Sequence, residues 1–158
     1  MSKLREKIFR GKRVDNGEWV EGYLLQDNLI VPAEQPFSFC KCNDRNIITS
    51  DSYLVFYEVV PKTVGEYTSL TDKNYKKIFE GDIVRNEWCL MSGNSVVKFG
   101  EYLGLYMSKE YKQGHYGFYL EHLDPTEKAI TRKDMIYFVN KCEVIGNIHD
   151  NPEMQKED

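Results

Sequence analysis

The stretch Tyr67 to Arg85, YTSLTDKNYKKIFEGDIVR, decides the fold. By residue type it is a short strand, a polar turn, a second strand and a glycine-led entry into a third. Ile78 and Ile83 are its inward residues, while Lys76, Lys77 and Glu80 are its solvated ones. Gly81 admits a positive φ, and the side chain of Asp82 is an acceptor for nearby backbone N–H groups where the chain turns.

Strand signals continue on both sides. Toward the N-terminus, VDNGEWVEGYLL (Val14 to Leu25) is a hairpin signal in which Asn16-Gly17 supplies the two positive-φ residues of a type I′ turn. Glu18 and Glu21 point outward, Asp27-Asn28 makes a second turn, and Leu29 to Val31 runs until Pro32 stops it. Residues 32–52 have the Pro, Ser, Asn and Asp composition of a loop. YLVFYEVV (Tyr53 to Val60) is apolar enough for burial on both faces, and Pro61 closes it.

Toward the C-terminus, strands are expected at Ser95–Phe99, Tyr102–Met107, Tyr116–Leu120, Met135–Val139 and Cys142–Ile148, with a last helical turn near Asp150–Glu153. Ala and Leu are scarce, eleven Tyr and eight Phe favour a pleated surface, and strong helical periodicity is missing. A Gly-Asp step followed by a β-branched pair, here Ile83-Val84, often opens the first strand of SH3-like barrels. The expected architecture is mainly β with little helix. An N-terminal β-hairpin subdomain with its loop occupies residues 1–62, and a small SH3-like β-barrel occupies residues 63–158.

Three blocks carry a family resemblance: FRGKRVDNGEWVEGYL at the opening hairpin, TVGEYTSLTDKNYKKIFEGDIVR (Thr63 to Arg85) in the centre and CEVIGNIHDNPEM (Cys142 to Met154) at the close. In these blocks the chain resembles the YopX family of phage and prophage proteins. The resemblance implies a mostly β protein with an SH3-like barrel in its C-terminal part, made in a bacterial cell from phage genes and assembling with itself. It carries over no catalytic residue. Where the family's turn commonly reads Asp-Lys-Asn-Gly, this chain has Asp72-Lys73-Asn74-Tyr75. Either Asn74 takes the left-handed conformation alone or the turn changes type.

The net charge of −4 disfavours a nucleic-acid binder without excluding a local basic patch. No run of about 18 apolar residues is present for a membrane span. The start, MSKLREKIFRGKR, lacks the apolar stretch of a secretory signal, which predicts a cytoplasmic protein with reduced thiols. Cys40 and Cys42 are separated by one residue, which rarely lets two thiolates reach one zinc, and no metal or cofactor is expected. His149-Asp150 and Glu121-His122 are sequence neighbours, so on a strand they point to opposite faces and make no catalytic pair. A phosphate-cradling glycine loop is absent.

The basic run before Val14 reads as a solvated edge strand whose lysines discourage unwanted pairing, or as a phosphate-contacting arm. Opposite in sign to the acidic residues from Asp150 onward, it suits head-to-tail packing between copies. The leading expectation is a non-enzymatic phage accessory protein that self-associates and binds a host or phage component. The alternative is a nucleic-acid-binding small barrel using the basic N-terminus and aromatics such as Tyr102, Tyr106, Tyr111, Tyr116 and Tyr119. Candidate contact residues are Lys7, Arg10, Lys12, Arg13, Tyr111 and His115, and the loops 32–52 and 108–115 are the places where local function is expected.

Overall fold

The computed structural model describes residues 7–33, 55–86, 93–102, 114–123 and 133–155. The chain divides into two compact units at the Val64–Gly65 step. In the first unit β1 (Phe9–Lys12), β2 (Trp19–Gln26), β3 (Leu29–Pro32) and β4 (Tyr57–Glu58) lie in the order β4-β3-β2-β1, every pair antiparallel. Strand alternation gives this sheet two faces of different character. Gly11, Ile30 and Val59 are buried on one of them, and Val59 packs against the backbone at Gly11, where a Cβ would stand 2.9 Å from its side chain.

Two expectations change here. The turn between β1 and β2 is longer than a two-residue type I′ turn: Gly17 alone has positive φ, and Asn16 instead accepts the Glu18 N–H on its side chain at 3.0 Å. In the expected Tyr53–Val60 strand, only Tyr57–Glu58 is strand among the described residues, and Val55 and Phe56 are exposed. Among its described residues the apolar run buries one fully, Val59, rather than both faces.

The second unit opens with the deciding stretch: β5 (Gly65–Thr71) and β6 (Lys77–Phe79) form an antiparallel hairpin, and β7 (Asp82–Asn86) follows through Gly81. β8 (Gly93–Tyr102), β9 (His115–His122), β10 (Lys133–Met135) and β11 (Glu143–Asn147) join β7 in an antiparallel sheet ordered β10-β9-β8-β7-β11. Its core is Ile78, Val84, Val97, Phe118, Leu120, Val139, Cys142 and Val144, with Leu70 and Ile136 packed against it. Burying side chains of this size stabilises by about 1.5–3 kcal/mol each, the largest favourable contribution available to so small a unit.

β10 and β11 are the two ends of that strand order, and no sheet closes on itself among the described residues. The chain is thus mainly β, with antiparallel sheets and short 3-10 turns, and closure into an SH3-like barrel is not seen. The strand expected at Met135–Val139 is also replaced: β10 ends at Met135 and Ile136–Lys141 is a 3-10 helix. Its Val139 is fully buried, a task the apolar pattern reported correctly while misreporting the backbone. The last helical turn is present as the 3-10 turn Pro152–Gln155.

Candidate functional site

In the central and closing motif blocks, Asp72, Asp82 and Asn147 turn their side-chain oxygens on the chain's own backbone. Asp72 is buried, yet one carboxylate oxygen accepts the N–H groups of Asn74 at 2.8 Å and Lys76 at 2.9 Å. Its other oxygen accepts the Val144 N–H of β11 at 3.0 Å, which ties the hairpin turn to the closing block. Burial pushes this carboxyl up, and the three backbone donors with the Lys76 charge outweigh it, so it lies below the usual carboxylate range.

Gly81 has φ 83 and the Asp82 carboxylate accepts the Phe79 N–H at 2.8 Å, as the residue types require. Ile78 and Ile83 are fully buried. Glu80 departs from expectation. It is half-buried, and burial raises its carboxyl, offset in part by the Phe99 N–H and reinforced by the charge of Glu66.

In the closing block the Asn147 side chain accepts the N–H groups of His149 and Asp150, both at 2.9 Å, and donates to the Asp150 carboxylate at 2.7 Å. Asn151 folds over Gly146, where a Cβ would stand 2.4 Å from its Oδ1, so a larger residue there would displace the Asn151 amide. Cys142 is a buried thiol pushed up to about 11 by burial and by the Asp72 charge, the opposite of an activated nucleophile.

The candidate contact residues do not converge. Arg10 and Lys12 share one face of the N-terminal sheet with Trp19, their charges 4.8 Å and 5.6 Å from its ring centroid. They are half-buried, so the reading of the basic run as a solvated strand is corrected at these two residues by the cross-strand stacking. Arg13 falls on the opposite face by strand alternation, 4.0 Å from the Tyr57 ring and bonded through Nε to Asp15 at 2.9 Å. Its hydrogen bond to Asp15 holds the guanidinium charged and Asp15 below the usual carboxylate range. Lys7 is exposed, and His115 belongs to the other unit, its ring 5.5 Å from that of Tyr102. Tyr111, Tyr106, Cys40, Cys42, Cys89 and nearly all of the two loops singled out above lie outside the described residues.

Two exposed features were missed by sequence reasoning. On β8 and β9, Phe99 packs edge-to-face on Tyr116 at 5.2 Å and on Phe118 at 4.9 Å, with Phe99 40% and Tyr116 76% exposed. This row runs from the core cluster out to solvent, whereas Tyr102 and Tyr119 stack at 5.4 Å and are buried. The second feature is Tyr75, 88% exposed at φ 64 on the β5–β6 turn. The Gly-to-Tyr departure was its signal, with either Asn74 taking the left-handed backbone or the turn changing type as the expectation. The structure assigns that conformation to Tyr75.

Among the described residues no group of three or more His, Cys, Asp or Glu is placed to hold a metal ion, and no helix is long and apolar enough to cross a membrane. No curated protein matches the chain. It is similar to the crystal structure of protein EF1440 from Enterococcus faecalis, at 19% sequence identity over 96% of this chain and 99% of that one, with a TM-score of 0.41. The family model described as YopX protein matches residues 8–156, which takes in all three motif blocks, and the chain therefore belongs to the YopX family.

Proposed function

We propose that this protein is a non-enzymatic accessory protein of phage or prophage origin, working in the cytoplasm of a bacterial host, that self-associates and binds a host or phage component. The observation that carries the reading is the Phe99–Tyr116 pair, an aromatic row continuous with the core that ends in solvent. A second copy covering it buries two large rings at a site already rigid on two long paired strands. The exposed basic Lys7 and the exposed acidic Asp150 and Glu153 add opposite charges that favour contact between copies. Reading the residues from 63 onward as an SH3-like binding barrel belongs to the same proposal.

Light scattering at micromolar concentration tests it. The expected result is an oligomeric mass for the native chain and a monomeric mass for Tyr116→Glu, with an unchanged circular dichroism spectrum because Tyr116 is exposed. A native chain that stays monomeric overturns the proposal. Of the aromatics the nucleic-acid alternative names, Tyr116 is exposed while Tyr102 and Tyr119 stack on each other in the interior.

A further inference from the structure

Glu80 has the sequence pattern of a solvated residue and the position of a half-buried one. Burial and the charge of Glu66 both raise its carboxyl, so its charge does not favour the place it occupies. The bond that offsets this is accepted from the Phe99 backbone N–H on β8. Two backbone bonds fix the turn that carries it: the Glu80 N–H donates to the Glu66 carbonyl at 3.0 Å, and the Gly81 N–H donates to the Val97 carbonyl at 2.8 Å. The carboxylate is therefore held against the side of β8.

On that side the pairing of β8 stops short. Among the described residues β7 pairs with it only from Gly93 to Val96, and the Gly81 bond adds Val97, whereas β9 follows its other side as far as Tyr102. Backbone groups of alternate residues point the same way along a strand, so beyond Val97 the outward N–H and C=O groups belong to Phe99 and Glu101. A row of this kind is a template for another strand. It is also self-complementary. With two copies turned about Gly100, Phe99 of each stands opposite Glu101 of the other, and each such pair can exchange two N–H···O=C bonds. The two backbones approach most closely at Gly100, where a Cβ would meet nothing within 4 Å, and no like charges fall directly opposite. The Phe99 N–H that this exchange requires is the group that Glu80 holds.

We propose that the β8 edge from Phe99 to Glu101 is a strand-pairing surface for a second copy of this chain, and that the Glu80 side chain keeps it shut. An acidic side chain turned inward against an open edge limits pairing in this way. The inference goes beyond the contact at Phe99 and Tyr116 proposed above, because it concerns backbone groups along the side of the strand rather than rings on its face. Neither reading requires the other.

Light scattering of the full chain and its variants tests it. Glu80→Ala frees the Phe99 N–H and should raise the mass about twofold or more over that of the native chain. Glu80→Gln keeps an acceptor for that N–H and should keep the native mass. Glu101→Pro removes an outward edge donor, a change that an edge strand tolerates, so Glu80→Ala with Glu101→Pro should return to the native mass. A native mass for Glu80→Ala overturns the proposal. So does a large mass that persists when Glu101→Pro is added, the result expected if Glu80→Ala merely unfolds the chain and the unfolded chains aggregate. Equal enlargement by Glu80→Gln also overturns it, since repulsion between charges rather than the capped donor would then keep copies apart. Tyr116→Glu combined with Glu80→Ala should still enlarge relative to Tyr116→Glu alone, so failure at the edge and failure at the aromatic face appear in different variants.

Discussion

The turn at Arg13–Glu18 and the turn at Asp72–Lys76 each place one residue in the left-handed backbone region, Gly17 at φ 73 and Tyr75 at φ 64. In the first, the residue's own freedom suffices. Its side-chain pairs, Arg13 with Asp15 and Asn16 with Glu18, lie on the surface, where water competes with them. In the second, the residue is unsuited and the surroundings decide. A buried carboxylate with three backbone donors holds the turn against the preference of its side chain. The difference is between a turn whose left-handed residue is a glycine and a turn whose left-handed residue is held by a carboxylate that also bonds a backbone N–H 72 residues away.

The largest test of that contrast removes the clamp. Asp72→Asn leaves an amide where Val144 needs an acceptor, in a buried setting, and should cost about 2–4 kcal/mol in urea denaturation. The matching change in the other turn, Asp15→Asn, should leave the urea midpoint in place. The pH dependence follows in sign. Because the folded Asp72 carboxyl lies below its unfolded value, its contribution is complete above the ordinary carboxylate range and is lost as pH falls through the folded value. The gap in midpoint between the native chain and Asp72→Asn should therefore narrow on acidification. A gap that stays constant into strong acid would show that the amide's shape, not the lost charge, sets the cost.

A smaller effect is expected from the self-sufficient turn. A Cβ at Gly17 would meet nothing within 4 Å, so Gly17→Ala tests backbone conformation with no steric contribution. It should cost about 1–2 kcal/mol, the left-handed penalty of an L-residue. Chemical denaturation measures it, and an unchanged midpoint would mean that the turn relaxes to another type.

The same contrast marks what the sequence made legible. Gly81, Asp82, Ile78 and Ile83 were readable because each acts on residues within a few positions, through φ, a short side-chain bond or strand alternation. The Asp72 bond to Val144 was not, since nothing local says that β11 will cross that turn. Ile136–Lys141 shows the same limit: an apolar pattern reports burial, as at Val139, without distinguishing a strand from a 3-10 helix. For the surface, the charges of Arg10, Lys12 and Arg13 were plain. Their separation onto two faces needed alternation along β1, and their engagement with Trp19 and Tyr57 needed the pairing register. Phe99 and Tyr116 become a pair only through the β8–β9 register, which sets Phe99 opposite Phe118 and Tyr116 two residues before it.

The smallest expected effect is also the one that separates the two turns most directly. Tyr75→Gly removes the left-handed penalty of about 1–2 kcal/mol but adds the greater chain entropy of glycine in the unfolded state, about 0.5–1 kcal/mol. The net gain should be a few tenths to about 1 kcal/mol, seen as a slightly higher urea midpoint. Because the ring is 88% exposed, little burial is forfeited to obscure it. The sign is decisive. If the chain gains stability, Tyr75 is kept at the expense of the fold, and its role is to be sought in what the ring touches outside the chain. If the chain loses stability, the ring supports the hairpin in solution, the turn is no less self-sufficient than the one at Gly17, and the contrast between them disappears.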